Sequence, residues 1–232
     1  MRKPVYIAIL MSLVGLAFVG LDRNVPSQHL PWRSLNPDAP LGIATKTQLM
    51  RLSLGPSSTC MNMAQNTAFL SSRPSEPKTD HPVCGWSISR QLQSVEQITL
   101  VPPDPDMQCP LTLASAIWLK EIDKAAQTIM GQNLKRIHHF GTYACRRQNG
   151  NNSGAWSEHA FANAWDISAF ELTDGKIISV KSDWNGTQKP RQFLRAARKS
   201  ACRIFRVTLS PDFNAAHHDH FHLDMGPTKA CK

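Results

Sequence analysis

Apolar residues fill positions 4–21 almost without a break, behind Arg2 and Lys3 and ahead of the polar stretch LDRNVPSQ. A basic leader before such a run marks an export signal, and its length is near the lower limit for crossing a bilayer, roughly 17–25 residues. No clear small-x-small cleavage site follows, so residues 1–22 read as a membrane anchor with the basic end in the cytoplasm. A removed signal peptide is the alternative. Residues 23–58 carry many Pro, Ser and Asn residues with weak periodicity, which predicts a linker that lifts the rest of the chain off the membrane. In residues 59–108 the segments VCGWSIS and QITLV predict short strands, and the dense PPDPD and CPL turns close the region as a covering subdomain.

Helical spacing is clearest over 112–130, where Leu113, Ile117, Leu119, Ile122, Ala126 and Ile129 mark a broad apolar face and Gly131 stops it. After it LKRIHHFGTYAC, ANAWDISAFEL and KIISV predict strands, the last two joined by an Asp174-Gly175 turn. A helix over 190–201 and a final alternating strand, HFHLDM, complete the pattern. That order predicts an α+β domain over 109–232, an antiparallel sheet with helices packed on one side.

The 232 residues are 41% hydrophobic and 19% charged, which suits a folded protein and excludes disorder over most of the length. A net charge of +9 favours an anionic partner. Nucleic acid is not the expected one, because Lys and Arg are scattered and no zinc-finger or helix-turn-helix signature is present. Wall polymer or a membrane surface remains. The six cysteines, an even number in an exported chain, predict disulfides that tie the N-terminal segment and the extreme C-terminus to the core, with the pairing left open.

Two clusters carry chemistry: SEHAFANAWD, ending at Asp166, and HHDHFHLD, ending at Asp224. Residues two apart on a strand share a face, so His220 and His222 project together while Phe221 goes to the core. His159 and Asp166 need a turn to meet. Two imidazoles and a carboxylate suit zinc, and three protein ligands leave one position open, as catalytic zinc sites do. Zinc could therefore collect its carboxylate and two imidazoles from among His159, Asp166, His220 and His222, with Asp219 beside them as a spare acid.

The segments GTYACR, SEHAFANAWDISAF, FLRAARKSAC and LSPDFNAAHHDHFHLD, in that order, make residues 109–231 resemble the bacterial extensin-like C-terminal domain. The resemblance extends to the group of zinc D-Ala-D-Ala carboxypeptidases and hedgehog-type proteins, and implies their fold. It also implies zinc held by His159 and Asp166, from a Ser-x-His-x-x-Gly-x-Ala-x-Asp motif, and by the final histidine of the late motif, His222. Ala162 stands where that motif has Gly. By the same resemblance Asp219 is the general base, His220 a helper at the metal, and Arg146 a ligand for substrate carboxylate or the transition-state oxygen. Ser157 would fix the turn before His159, and His217 and His218 would form the rim.

The implied activity is zinc-dependent hydrolysis of amide bonds in peptidoglycan stem peptides or cross-links, outside the cytoplasm and anchored in the inner membrane. A non-catalytic zinc-containing wall binder and a metal-free envelope scaffold are the rival expectations.

Overall fold

The computed structural model describes residues 3–150 and 152–232. Its elements in chain order are α1 (Lys3–Asn24), α2 (Thr45–Leu54), α3 (Ser57–Asn66), β1 (Leu70–Pro74), β2 (Arg90–Val95), β3 (Ile98–Val101), β4 (Asp106–Met107) and α4 (Cys109–Met130). There follow β5 (Leu134–Gly141), β6 (Ala164–Leu172), β7 (Ile177–Ser179), α5 (Val180–Asp183), α6 (Gln188–Ile204), β8 (Val207–Leu209), β9 (Phe221–Asp224) and β10 (Ala230–Cys231). The strands form one sheet in the order β1-β2-β3-β5-β6-β9-β8-β10, with β4 on β2 and β7 on β6. The fold is α+β as expected, and mostly antiparallel. Two pairs depart from that pattern: β3 with β5 and β8 with β10 are parallel.

The pleat sets what each strand buries. Trp165, Ile167, Phe170 and Leu172 of β6, with Phe221 and Leu223 of β9, enter the core, and Asp166 and His222 take the opposite face. The bulge in β6 restores this division after Ser168, since His139 pairs with Ile167 and His138 with Ala169. Helices α4 and α6 cover the apolar face. Trp118 of α4 is fully buried, edge-on to Trp165, Phe170 and Phe205, and its indole N–H donates to Ala197 O of α6 at 3.0 Å. Gly131 ends α4 at φ +74°, a left-handed position that suits glycine.

Three regional expectations change. VCGWSIS is no strand: among the described residues only Trp86 bridges, to Lys78, and Gly85 at φ +113° packs so close that a Cβ would lie 2.0 Å from Lys78 O. Residues 23–58 are not a plain linker, because α2 packs on α4 and α6 and buries Leu49 and Gln48. The Gln48 amide donates to Ser27 O and Leu30 O, at 2.8 and 2.9 Å, fastening the preceding loop. Residues 59–108 supply α3 and β1 to β4 to the common sheet and core rather than forming a separate cover.

The cysteines pair as Cys60–Cys109, Cys84–Cys145 and Cys202–Cys231. They join α3 to α4, the 84–86 turn to the loop after β5, and α6 to the C-terminus. Three disulfides suit an oxidising, extracytoplasmic compartment. In α1, Tyr6–Asn24 is long and apolar enough to cross a membrane and is not buried by the rest of the chain. At its end Trp32 stacks on Phe18, with ring centroids 5.0 Å apart, and donates to Asp22 at 2.8 Å, while Arg33 donates to the same carboxylate at 2.7 Å.

Candidate metal centre

Three ligand atoms meet on the open face of the sheet. His222 Nδ1 lies 2.9 Å from Asp166 Oδ1, His159 Nε2 lies 3.0 Å from Asp166 Oδ2, and the two ring nitrogens are 3.2 Å apart. Asp166 and His222 are directly opposite one another in the β6–β9 register. His159 arrives from a short 3-10 turn, Glu158–Phe161, whose entry is capped by Ser157: its Oγ accepts from His159 N at 3.3 Å. The turn closes on Ala162 at φ +52°, the left-handed conformation for which Gly is the usual residue. The site keeps that geometry with alanine.

The outer nitrogens decide what the inner ones can offer. His159 Nδ1–H donates to Thr142 O at 3.2 Å, and His222 Nε2–H donates to Asp224 Oδ2 at 3.0 Å. Asp224 is itself held by Gly226 N–H at 2.9 Å. With those protons placed outward, the inner nitrogens carry lone pairs that converge with a carboxylate, a donor set that needs a cation between its members. Zinc bonds of about 2.0–2.2 Å would set tetrahedral neighbours ~3.3–3.6 Å apart, a few tenths of an ångström wider than the 2.9–3.2 Å found, so the residues fit the ion with a small outward shift.

Without a cation, a proton must serve. Burial pulls the His222 pKa down, but hydrogen bonds with Asp166 and Asp224 more than reverse this and lift it to about 9. Burial opposes ionisation of Asp166, yet its bonds from His159 and His222 hold that carboxyl well below the usual carboxylate range. Burial also raises the pKa of Glu158, helped by the Asp224 charge and opposed by its 2.6 Å bond from Asn163.

His220 Nε2 points toward the cluster, 3.7 Å from Asp166 Oδ1, and its Nδ1–H donates to Asp219 Oδ1 at 2.8 Å. Asp219 thus stands behind His220, ionised: burial works against this, and the His220 bond and the His218 charge prevail. His217, half-buried with its ring near those of His220 and His222, has a pKa lowered to about 4, first by burial and then by those neighbours. Arg146 is exposed on the loop after β5, and its charge contributes to the same lowering. His138 and His139 lie outside the cluster; they bond to Glu171 and to Pro102 O respectively. Thr142 and Asp224 were not singled out in the sequence as orienting groups. Asp224 was visible as the next outward position after His222, whereas the Thr142 contact is made by a backbone carbonyl and leaves no side-chain signal.

A second grouping, His81 with Cys84 and Cys145, is closed to metal while its two sulfurs are joined in a disulfide.

Fold and site together define an α+β domain with a two-histidine, one-carboxylate cluster on the open face of its sheet. The sequence matches the family described as extensin-like protein C-terminus over residues 58–232, three quarters of its length, and the chain belongs to that family. No curated protein and no solved structure was found to match it.

Proposed function

We propose that this chain is a zinc-dependent peptidase of the cell envelope, held in the inner membrane by α1 and acting on amide bonds in peptidoglycan stem peptides or cross-links. The observation that carries this reading is the convergence of His159 Nε2, Asp166 and His222 Nδ1 within 2.9–3.2 Å with both outer imidazole nitrogens already committed. The likeness of SEHAFANAWD and HHDHFHLD to the motifs of zinc D-Ala-D-Ala carboxypeptidases supports the same conclusion. When bound, zinc would supply Lewis acidity toward a peptide carbonyl and toward water.

The remaining steps belong to the protein's own side chains. His220 Nε2 faces the cluster and is the atom to take a proton there and return it to the leaving amine. Asp219, ionised on the far nitrogen, orients the ring and stabilises its protonated form, so the carboxylate expected to be the base works through His220. Arg146, whose charge is felt at His217 beside the cluster, supplies the cation that stabilises negative charge developing on the carbonyl oxygen.

Digestion of purified peptidoglycan with zinc-loaded protein, followed by mass analysis of the products, tests the reading. His159→Ala should lose zinc and muropeptide release together. His220→Ala should keep zinc and lose at least about 100-fold in rate, the usual contribution of a positioned acid–base group. A wild-type protein that binds zinc and releases nothing would instead be a wall-binding module.

A further inference from the structure

Beside the candidate metal centre the edge of β6 is shared. Strand β9 pairs with residues 164–167 and β7 with residues 169–171, so the bulged Ser168 lies between the end of one neighbour and the start of the other. A groove of ≈ 410 Å³ opens there, and Asp219 lies at the end nearest the cluster. Its walls are Phe140 and Ile177, large apolar residues left 62% and 53% exposed. Phe140 also packs edge-on to His220, with centroids 5.7 Å apart, so the groove and the cluster share a wall. Lys181, two residues beyond Ser179, which pairs with Ala169, also lines the groove from the start of α5.

The charge around this groove is uneven. Next to His138 on the open face, Glu171 is shared by Arg136 at 2.8 Å, His138 at 3.2 Å and Lys135 at 3.8 Å. Lys181 is the cation that lines the groove itself. The groove itself therefore carries one carboxylate, Asp219, beside the cluster and one fixed cation, Lys181. Asp166 and Ala169 are three residues apart on β6, about 10 Å at ~3.3 Å per residue, which is the span of about three residues of an extended substrate.

We infer that this groove is the substrate subsite flanking the bond to be cut, and that Lys181 receives a free carboxylate on a peptide residue two to three positions from that bond. This rests on the peptidase reading for its substrate class, while the groove and its charge stand apart from it. Phe140 and Ile177 hold the aliphatic part of the same residue.

The test uses full-length, zinc-loaded protein in detergent and two sets of synthetic stem peptides that differ only in carrying a free carboxylate or its carboxamide. Wild type should favour the carboxylate by about tenfold in kcat/KM, expressed in KM, as fits a partly exposed charge-assisted contact. Lys181→Met should lose the preference, Lys181→Arg keep it, and Lys181→Glu reverse it. Equal rates on both peptides, or a preference that survives in Lys181→Met, would overturn the subsite. If wild type cuts neither set, the peptidase reading fails separately, and calorimetric binding of the same peptides decides the subsite. A tenfold tighter carboxylate peptide that depends on Lys181 upholds it, and equal affinities reject it.

Discussion

The bond from His222 to Asp224 fixes which imidazole nitrogen is free for a metal, so its loss should act on affinity rather than on fold. Asp224→Asn is expected to weaken zinc binding by about 10–100-fold, the usual effect of removing a carboxylate behind a metal-bound histidine. Competition with a chromophoric chelator measures it. Protons compete for the same nitrogen. In metal-free protein the His222 pKa is raised from its ordinary 6.5 to about 9. Its contribution to stability, up to about 3 kcal/mol, is therefore complete below pH 6.5 and lost as pH rises through 9. Urea midpoints of chelator-treated protein should fall across that interval. Zinc-loaded protein should show no such fall, because the ion replaces the proton. Strand alternation made His220 and His222 legible in the sequence, the SEHAFANAWD cluster offered His159 and Asp166, and the family motif chose His159, Asp166 and His222 among them. What the sequence could not give is the pairing of Asp219 with His220, since neighbours in a chain meet only where the backbone leaves the extended form. Ala162 shows how a departure from the motif is tolerated. A left-handed alanine costs about 1–2 kcal/mol, and against that stand a methyl group buried in full, worth about 0.8 kcal/mol, and the lower unfolded-state entropy of alanine.

Helices and strands with strong patterns were readable. α4 shows its apolar face and its glycine stop, and β5, β6, β7 and β9 were each anticipated near their observed places. α2 and α3 were not, because their buried surfaces are small and partly polar: Thr45, Gln48 and Leu49 in one, Cys60 and Ala64 in the other. Too few apolar residues recur to show a 3.6-residue period. The parallel pairing of β8 with β10 was equally hidden, since only two residues of β10 take part. A strand that short needs another hold. It has one in Cys202–Cys231, assisted by Lys232 O, which accepts from Ser210 Oγ at 2.7 Å. Replacing both cysteines by serine should cost about 3–4 kcal/mol on loop-closure grounds. Amide exchange should show residues 226–232 losing protection first; uniform protection would mean that the strand holds without the bridge.

The one continuous sheet explains why a division at residue 109 fails: β3 feeds through β4 and α4 into β5, which returns parallel beside β3. The family match beginning at residue 58 follows the same boundary, taking in α3 and β1 that the motifs alone did not reach. Fold class was legible because apolar alternation reports layers. Domain limits were not, because they depend on which strands meet.

The contacts of Trp32 and Arg33 with the end of α1 also bear on reach. Were α1 to stay in a bilayer, as proposed, this clasp would leave no slack between lipid and globule, and the protein would work like a tool bolted to its bench. A body of this size is about 40 Å across, and only material lying within that depth of the lipid surface would come under its groove.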